Sequence, residues 1–207
     1  TFVAFMVITI DGAAGVGKTS TAKEIAKRLG YQYFDTGAMY RAVTLFFMKK
    51  NVDLESDSQI AESLDAIKLN IDFSSESEMQ IFLDEENISL KIRSQEVTSK
   101  VSAVSALKDV REMMVKIQRS FTENGNFVVE GRDIGTVVFP DAKYKFYLQA
   151  DYDIRAKRRL ADFEKRDKYY STRKLSPLKK PKDAIIIDTT LCSFEEQVDQ
   201  ILKHIEN

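Results

Sequence analysis

The sequence predicts an α/β fold organised around a phosphate-binding loop, and three observations carry that reading. An apolar run over residues 2–10 reads as a buried strand. It leads straight into Gly12-Ala13-Ala14-Gly15-Val16-Gly17-Lys18-Thr19, which fits G-x-x-x-x-G-K-[ST]. Directly after it, Ala22, Ile25, Ala26 and Leu29 recur at helical spacing, so the loop stands between a strand and a helix. At 207 residues the chain suits one α/β domain with insertions and a sizeable core.

Strand, glycine loop and helix together are what a phosphate cradle requires. Glycines keep side chains away, so successive backbone N–H groups converge on phosphate oxygens at the helix N-terminus. Lys18 supplies a mobile charge for the β- and γ-phosphates, and Thr19 offers a hydroxyl to Mg²⁺. The alternative, a glycine-rich turn that binds nothing, leaves the complete set of fixed positions unexplained. A nucleoside triphosphate, ATP in a kinase, is the expected ligand.

Lys plus Arg number 31 against 32 Asp plus Glu. So even a balance calls for neither a nucleic-acid polymer nor an anionic membrane as partner, and any basic site has to be local. No stretch has the length to cross a bilayer. The first ten residues lack a basic region and a cleavage site, so a core strand is expected there rather than a signal peptide. A single cysteine, Cys192, precludes an intrachain disulfide and suits a reducing, cytoplasmic compartment. The one histidine, His204, falls in a polar C-terminal helix pattern, so histidine catalysis and a His/Cys metal site are set aside.

Taken in order, residues 31–34 form an aromatic run ending in Asp35-Thr36-Gly37. A helix follows with Met39, Val43, Phe46 and Phe47 on its apolar face. Arg41 in its first turn is either a solvated helix residue or a ligand contact; its place just after a strand end favours contact, because ligands in open α/β sheets collect there. Between 51 and 92 charged and serine-rich connections separate residues 68–73, 79–83 and 87–92. Alternation within the first two predicts a small inserted antiparallel meander. A helical pattern over 94–124 carries Ser102 and Arg111. The apolar strand at 127–129 stops at Glu130-Gly131-Arg132-Asp133-Ile134-Gly135-Thr136, where the Arg-Asp pair marks a ligand site or an ion pair tying down a turn. A strand over 145–148 leads into a helix over 151–163 with Arg155, Lys157, Arg158 and Arg159. Residues 164–182 are basic, contain Pro177 and Pro181, and read as a mobile loop. A last core strand at 184–187 precedes Ser193-Phe194-Glu195-Glu196, a capping box opening the final helix.

A phosphate loop alone does not separate a kinase from a GTPase or a nucleotide switch. No Asn-Lys-x-Asp segment for reading guanine is found. Arg41, Arg132, Arg155, Arg158, Arg159, Arg166 and Arg173 gather in segments expected near the loop, as phosphoryl transfer demands of a site where charge spreads over the transferring oxygens. The basic stretch is either a solvated face or a closing lid that excludes water.

Four blocks resemble the bacterial cytidylate kinases: residues 8–12, Asp35-Thr36-Gly37-Ala38-Met39-Tyr40-Arg41, Ile92-Arg93-Ser94-Gln95-Glu96-Val97, and Gly131-Arg132-Asp133-Ile134-Gly135-Thr136-Val137-Val138-Phe139-Pro140. The resemblance runs almost end to end. It implies a P-loop kinase fold as a single domain over 1–207: a five-stranded parallel sheet flanked by helices, a monophosphate-binding lobe with a small antiparallel insert over about 51–104, and an arginine-rich lid over about 155–182. It also implies Mg²⁺-assisted transfer of the ATP γ-phosphate to CMP or dCMP by a monomer; a kinase for another acceptor such as UMP, or a nucleotide-dependent switch, is the rival. Carried over by position, Gly12 to Thr19 hold ATP, and Lys18, Arg132, Arg158 and Arg166 act on the transferring group. Thr36, Arg41 and Arg132 hold monophosphate and sugar; Ser102, Arg111 and Asp133 read cytosine; Arg166 and Arg173 are lid arginines. Thr19 is assigned to Mg²⁺, and Asp35 either to Mg²⁺ through its bound water or to the acceptor site. The cytosine assignment has a physical basis, since a carboxylate accepts from the exocyclic amine while Arg and Ser donate to the ring acceptors. Two departures stand out. The passage from 161 to 166 is shorter than the family's lid arm, and Tyr170 replaces an Asp thought to contact the ribose.

Overall fold

The computed structural model describes residues 5–73, 79–158 and 163–206, without the side chains of 157, 158, 163–167 and 206. The chain opens with β1 (Val7–Gly12), α1 (Lys18–Leu29), β2 (Gln32–Asp35) and α2 (Thr36–Lys50). There follow α3 (Asp57–Ala66), β3 (Leu69–Asp72), β4 (Gln80–Leu83), β5 (Glu86–Asn87), a 3₁₀ turn at Lys91–Arg93, α4 (Gln95–Val104) and α5 (Lys108–Phe121). The last third comprises β6 (Phe127–Gly131), a π turn at Ile134–Val138, β7 (Tyr144–Gln149), α6 (Tyr152–Arg158), α7 (Phe163–Thr172), β8 (Ile185–Asp188) and α8 (Phe194–Glu206). These elements divide into two compact units, Thr1–Phe34 with Phe121–Asn207, and Asp35–Ser120.

The first unit holds a five-stranded sheet in the order β2-β6-β1-β7-β8, with β1 parallel to β6 and β7, and β7 parallel to β8. The inner strands β1 and β6 read as apolar runs because both faces are covered, while β8 at the edge leaves Ile186 exposed. Ile8, Ile10, Val128, Phe146 and Leu148 are buried together with Ala22 and Ile25 of α1 and Val198, Ile201 and Leu202 of α8. The central strand is β1, so its carboxyl end opens in the middle of the sheet edge, where ligands bind in such folds. The capping box of α8 forms as its sequence predicts: Ser193 N donates to Glu196 Oε2 at 2.7 Å and Glu196 N donates to Ser193 Oγ at 3.3 Å.

In the second unit, α2 packs on α4, β4 and the 3₁₀ turn. The meander is antiparallel, with Leu69 opposite Leu83 and Ile71 opposite Ile81. Ile71, Ile81 and Leu83 are all buried, which is the physical content of the alternation.

The secondary structure differs from expectation in five places. The first strand starts at Val7 rather than residue 2, residues 1–4 lying outside the described ones. Helix α3 forms inside the stretch read as connections; Ser56 caps it by accepting from Gln59 N, and Ile60 and Leu64 bury its narrow apolar stripe. The stretch 87–92 supplies only the end of a two-residue strand and then turns. The long helical pattern at 94–124 is two helices, broken around Ser105, where Arg111 Nη1 donates to the Ser105 carbonyl at 3.3 Å. Much of the stretch expected to be a loop is helix α7, whose ten residues contain neither Gly nor Pro. The helix expected over 151–163 is described only to Arg158, and Arg159 lies outside the described residues.

Candidate active site

The loop after β1 is shaped by its backbone. Gly12 has φ +151°, and a Cβ there would sit 2.3 Å from the Leu148 carbonyl oxygen, so no other residue fits without moving β7. Gly17 begins α1 in the left-handed region (φ 92°) and no side chain caps that helix. The first-turn N–H groups therefore face the loop, the arrangement that binds anions. Three cations lie against the loop's carbonyls. Lys18 Nζ donates to Ala13 O at 2.6 Å, Arg155 Nη1 to Ala14 O at 3.4 Å, and Arg132 Nη1 to Gly12 O. Arg155, one of the arginines expected near the loop from sequence, lies against it. Its own carbonyl would lie 3.1 Å from a Cβ on Gly15.

The turn after β6 is tied to β1 by Asp11. This fully buried carboxylate accepts from Ile134 N at 2.9 Å and from Gly135 N at 2.8 Å. Burial pushes its pKa up to about 6, against the two N–H donors that pull it down; Asp133 adds to the rise and Lys18 opposes it. Asp11 belongs to no motif with a stated role, yet a carboxylate closing a buried strand beside a phosphate loop is a visible anomaly in the sequence. Asp133 pairs with Arg173, its Oδ1 3.4 Å from Nη2, with both side chains almost fully buried. Asp133 thus reaches an arginine far along the chain, and the Arg132 guanidinium lies over the Tyr170 ring at 5.2 Å. Arg158 closes α6 and Arg166 lies within α7, but their side chains fall outside the described residues.

In the second unit Thr36 is buried at the start of α2. Asp35 caps that helix, Oδ1 accepting from Ala38 N at 3.0 Å, and its Oδ2 accepts from Arg41 Nη2 at 2.7 Å. The buried Nε of Arg41 has no hydrogen-bond partner among the described residues. Arg111 is buried, its guanidinium 5.6 Å from the Tyr40 ring centre. Ser102 is joined to it through Ser105, which donates from Oγ to the Ser102 carbonyl at 3.1 Å and accepts from Arg111.

Asp35 has one oxygen engaged by the helix end and the other by Arg41, which sets it beside the arginine expected at the acceptor phosphate. Thr19 is exposed in the first turn of α1, as a hydroxyl ligand would have to be. Among the described residues no group of three or more His, Cys, Asp or Glu could hold a metal by itself. Any Mg²⁺ would therefore depend largely on nucleotide oxygens and water, which is its usual habit beside phosphates.

Comparisons with known proteins agree with this geometry. The chain is 44% identical to the cytidylate kinase of Caldanaerobacter subterraneus subsp. tengcongensis, covering 96% of this chain and 93% of that one, and 42% identical to that of Protochlamydia amoebophila, covering 96% of each. The first alignment spans 221 positions, more than the 207 residues of this chain, so the relative carries residues inside the match that are missing here. Among solved structures, a shikimate kinase from Bacteroides thetaiotaomicron superimposes with a TM-score of 0.52 at 13% identity, covering 99% of this chain and 100% of the other. A gluconokinase from Sinorhizobium meliloti gives 0.52 at 13%, covering 98% and 91%. At such identities these two establish a shared P-loop kinase fold and nothing about substrate. The cytidylate kinase family matches residues 8–207, and with the loop, the sheet order and the relatives in agreement, the chain belongs to that family.

Proposed function

We propose that the protein transfers the γ-phosphoryl group of ATP to CMP and dCMP, directly and without a covalent enzyme intermediate. The observation that carries this reading is the family match over residues 8–207, joined to a phosphate loop with all fixed positions present and three cations against it. Positioning and charge suffice for such a reaction. The backbone of residues 12–18 would hold the donor phosphates, and Lys18 would leave the Ala13 carbonyl for the transferring group. Arg132, Arg158 and Arg166 would add charge around it. Arg41, steadied by Asp35 and with its Nε unpartnered, suits an acceptor phosphate, with Thr36 beside it in sequence. Ser102, Arg111 and Asp133 are assigned to cytosine and Arg173 to the lid. Mg²⁺ bound through Thr19 would neutralise charge on the phosphate oxygens. Action as a monomer in the cytoplasm belongs to the same reading; no helix among the described residues is long and apolar enough to cross a membrane.

The test is ADP release with CMP, dCMP, UMP and AMP as separate acceptors. CMP and dCMP should stimulate it strongly and about equally, because Tyr170 offers no charged acceptor to the ribose hydroxyls and charge-assisted bonds are about twice as strong as neutral ones. A large preference for CMP over dCMP would refute that account of the sugar. A best rate with UMP would move the protein to another acceptor. Slow hydrolysis indifferent to every acceptor would make it a switch.

A further inference from the structure

We propose that Tyr170 is a positioning residue for phosphoryl transfer, its ring holding the guanidinium groups of Arg132 and Arg173 in place for the substrates. The two arginines come from different parts of the chain. Arg132 sits on the turn after β6, and Arg173 just beyond the end of α7. Both reach the same aromatic side chain. The Arg132 Cζ lies 5.2 Å and the Arg173 Cζ 5.1 Å from the Tyr170 ring centre, inside the roughly 6 Å within which a ring attracts a cation. Tyr170 is 6% exposed, so these contacts are largely desolvated, where such attraction is strongest.

The ring itself is firmly seated. The Tyr170 carbonyl accepts from Leu178 N at 2.8 Å, which closes the chain back over the end of α7, and Tyr169 packs edge-on at 6.0 Å. Arg173 is further steadied, donating from Nε to the Ser176 carbonyl and lying 3.4 Å from the Asp133 carboxylate.

Stacking is a particular way to hold an arginine. A carboxylate partner uses in-plane N–H donors and cancels the charge. A ring occupies the guanidinium's face, uses none of those donors and leaves the charge in being. Arginines held in this way are already ordered when a phosphate arrives, and their planar fork remains suited to two-point recognition of its oxygens. An aromatic residue at position 170 therefore orders both cations without itself using their donors or charge, while Arg173 also meets Asp133. The inference depends on the reading of CMP as acceptor, and its test must fail separately from that reading.

The experiment compares Tyr170→Phe, which keeps the ring, with Tyr170→Leu, which removes it. Each is assayed with ATP and CMP well below its measured melting temperature. Phe should keep kcat/KM for CMP within about twofold, and Leu should lose about tenfold, with KM for ATP nearly unchanged in both. Limited trypsin digestion mapped by mass spectrometry gives a second readout that needs no acceptor. The Leu variant should be cut after Arg173 several-fold faster than wild type relative to cleavage after Lys168, and the Phe variant at the wild-type ratio. Equal kinetics and equal cleavage in all three proteins would overturn the proposal. So would a Phe variant as impaired as Leu, which would assign the effect to the hydroxyl. A Leu deficit matching its unfolded fraction would reduce Tyr170 to a packing residue. A wild type inactive toward CMP overturns the functional reading instead, and the cleavage ratios then decide on the ring.

Discussion

The phosphate loop and the turn at residues 131–136 belong to the same unit, and Asp11 joins them, yet they are built from different material. The loop is made of backbone. Its positions are fixed by glycines, Gly12 by a Cβ that would strike the Leu148 carbonyl and Gly15 and Gly17 by positive φ, and the groups proposed to bind phosphate are N–H donors of consecutive residues. The turn is made of side chains drawn from far apart: Asp11, Arg132, Asp133, Tyr170 and Arg173. A backbone site is all or nothing, because the conformation that presents one donor presents them all. A side-chain network can lose one member and keep a graded remainder. The second kind of construction is where a family can vary preference while keeping its reaction.

The largest expected effect tests the first half of that contrast. In the proposed mechanism Lys18 is the loop side chain that meets the transferring group directly. Lys18→Ala should lower kcat by at least about a hundredfold, or roughly 3 kcal/mol of barrier, by analogy with removal of a single donor at a developing charge. CMP binding measured by calorimetry should stay near wild type. A variant with unchanged kcat would mean that the backbone cradle and the arginines suffice.

The same contrast explains how much could be read from the sequence. The loop, β1, β6, β7 and the capping box were legible because each is written in consecutive residues with a fixed spacing or an unbroken apolar run. Helix α3 was missed because only Ile60 and Leu64 mark its buried side, too few for a period to show through ten mostly polar residues. Helix α7 reads as a loop because charge and nearby prolines outweigh ten residues with no breaker among them. The side-chain network was the least legible part. Asp133, Arg132 and Arg173 were named by resemblance, but nothing local says that Asp133 pairs across forty positions with Arg173 or that two arginines share Tyr170. Asp35 is similar: its carboxylate caps a helix and holds Arg41, two contacts that its type and position alone do not announce.

Asp11 is the link between the two constructions, and its effect should be the next largest. Its pKa is raised from 3.8 to about 6, chiefly by burial. Between those values the folded chain holds a proton that the unfolded chain has released, so stability from this group falls as pH rises from about 4 to about 6 and is level above. Two pKa units amount to about 3 kcal/mol. Asp11→Asn removes the titration, but its amide can accept from only one of Ile134 N and Gly135 N, so the turn should loosen and turnover drop. Urea unfolding of both proteins across pH 4 to 7 should give a free-energy difference that changes by about that amount. Parallel curves would show that Asp11 titrates normally, and the link would then be held by neutral geometry alone.

The smallest and most discriminating effect concerns Asp133, where two roles compete within one carboxylate. As a reader of cytosine it accepts from the exocyclic amine, which uracil replaces with an acceptor. As the partner of Arg173 it holds a nearly buried cation 3.4 Å away. Asp133→Asn alters both. It should lower stability by up to about 3 kcal/mol, because a buried arginine loses its counter-charge. That loss says nothing of the base. The ratio of kcat/KM for CMP to that for UMP does. An Asn keeps an acceptor for cytosine but adds a donor that serves uracil O4, so base reading requires the ratio to narrow by about tenfold. A carboxylate engaged only with Arg173 lowers both values together and leaves their ratio alone. If the ratio holds while Arg173→Lys reproduces the loss of activity, Asp133 acts through the arginine and the cytosine must be read elsewhere. A narrowed ratio with Arg173→Lys leaving it untouched would separate the two roles and show that a member of the network can change preference without stopping the reaction.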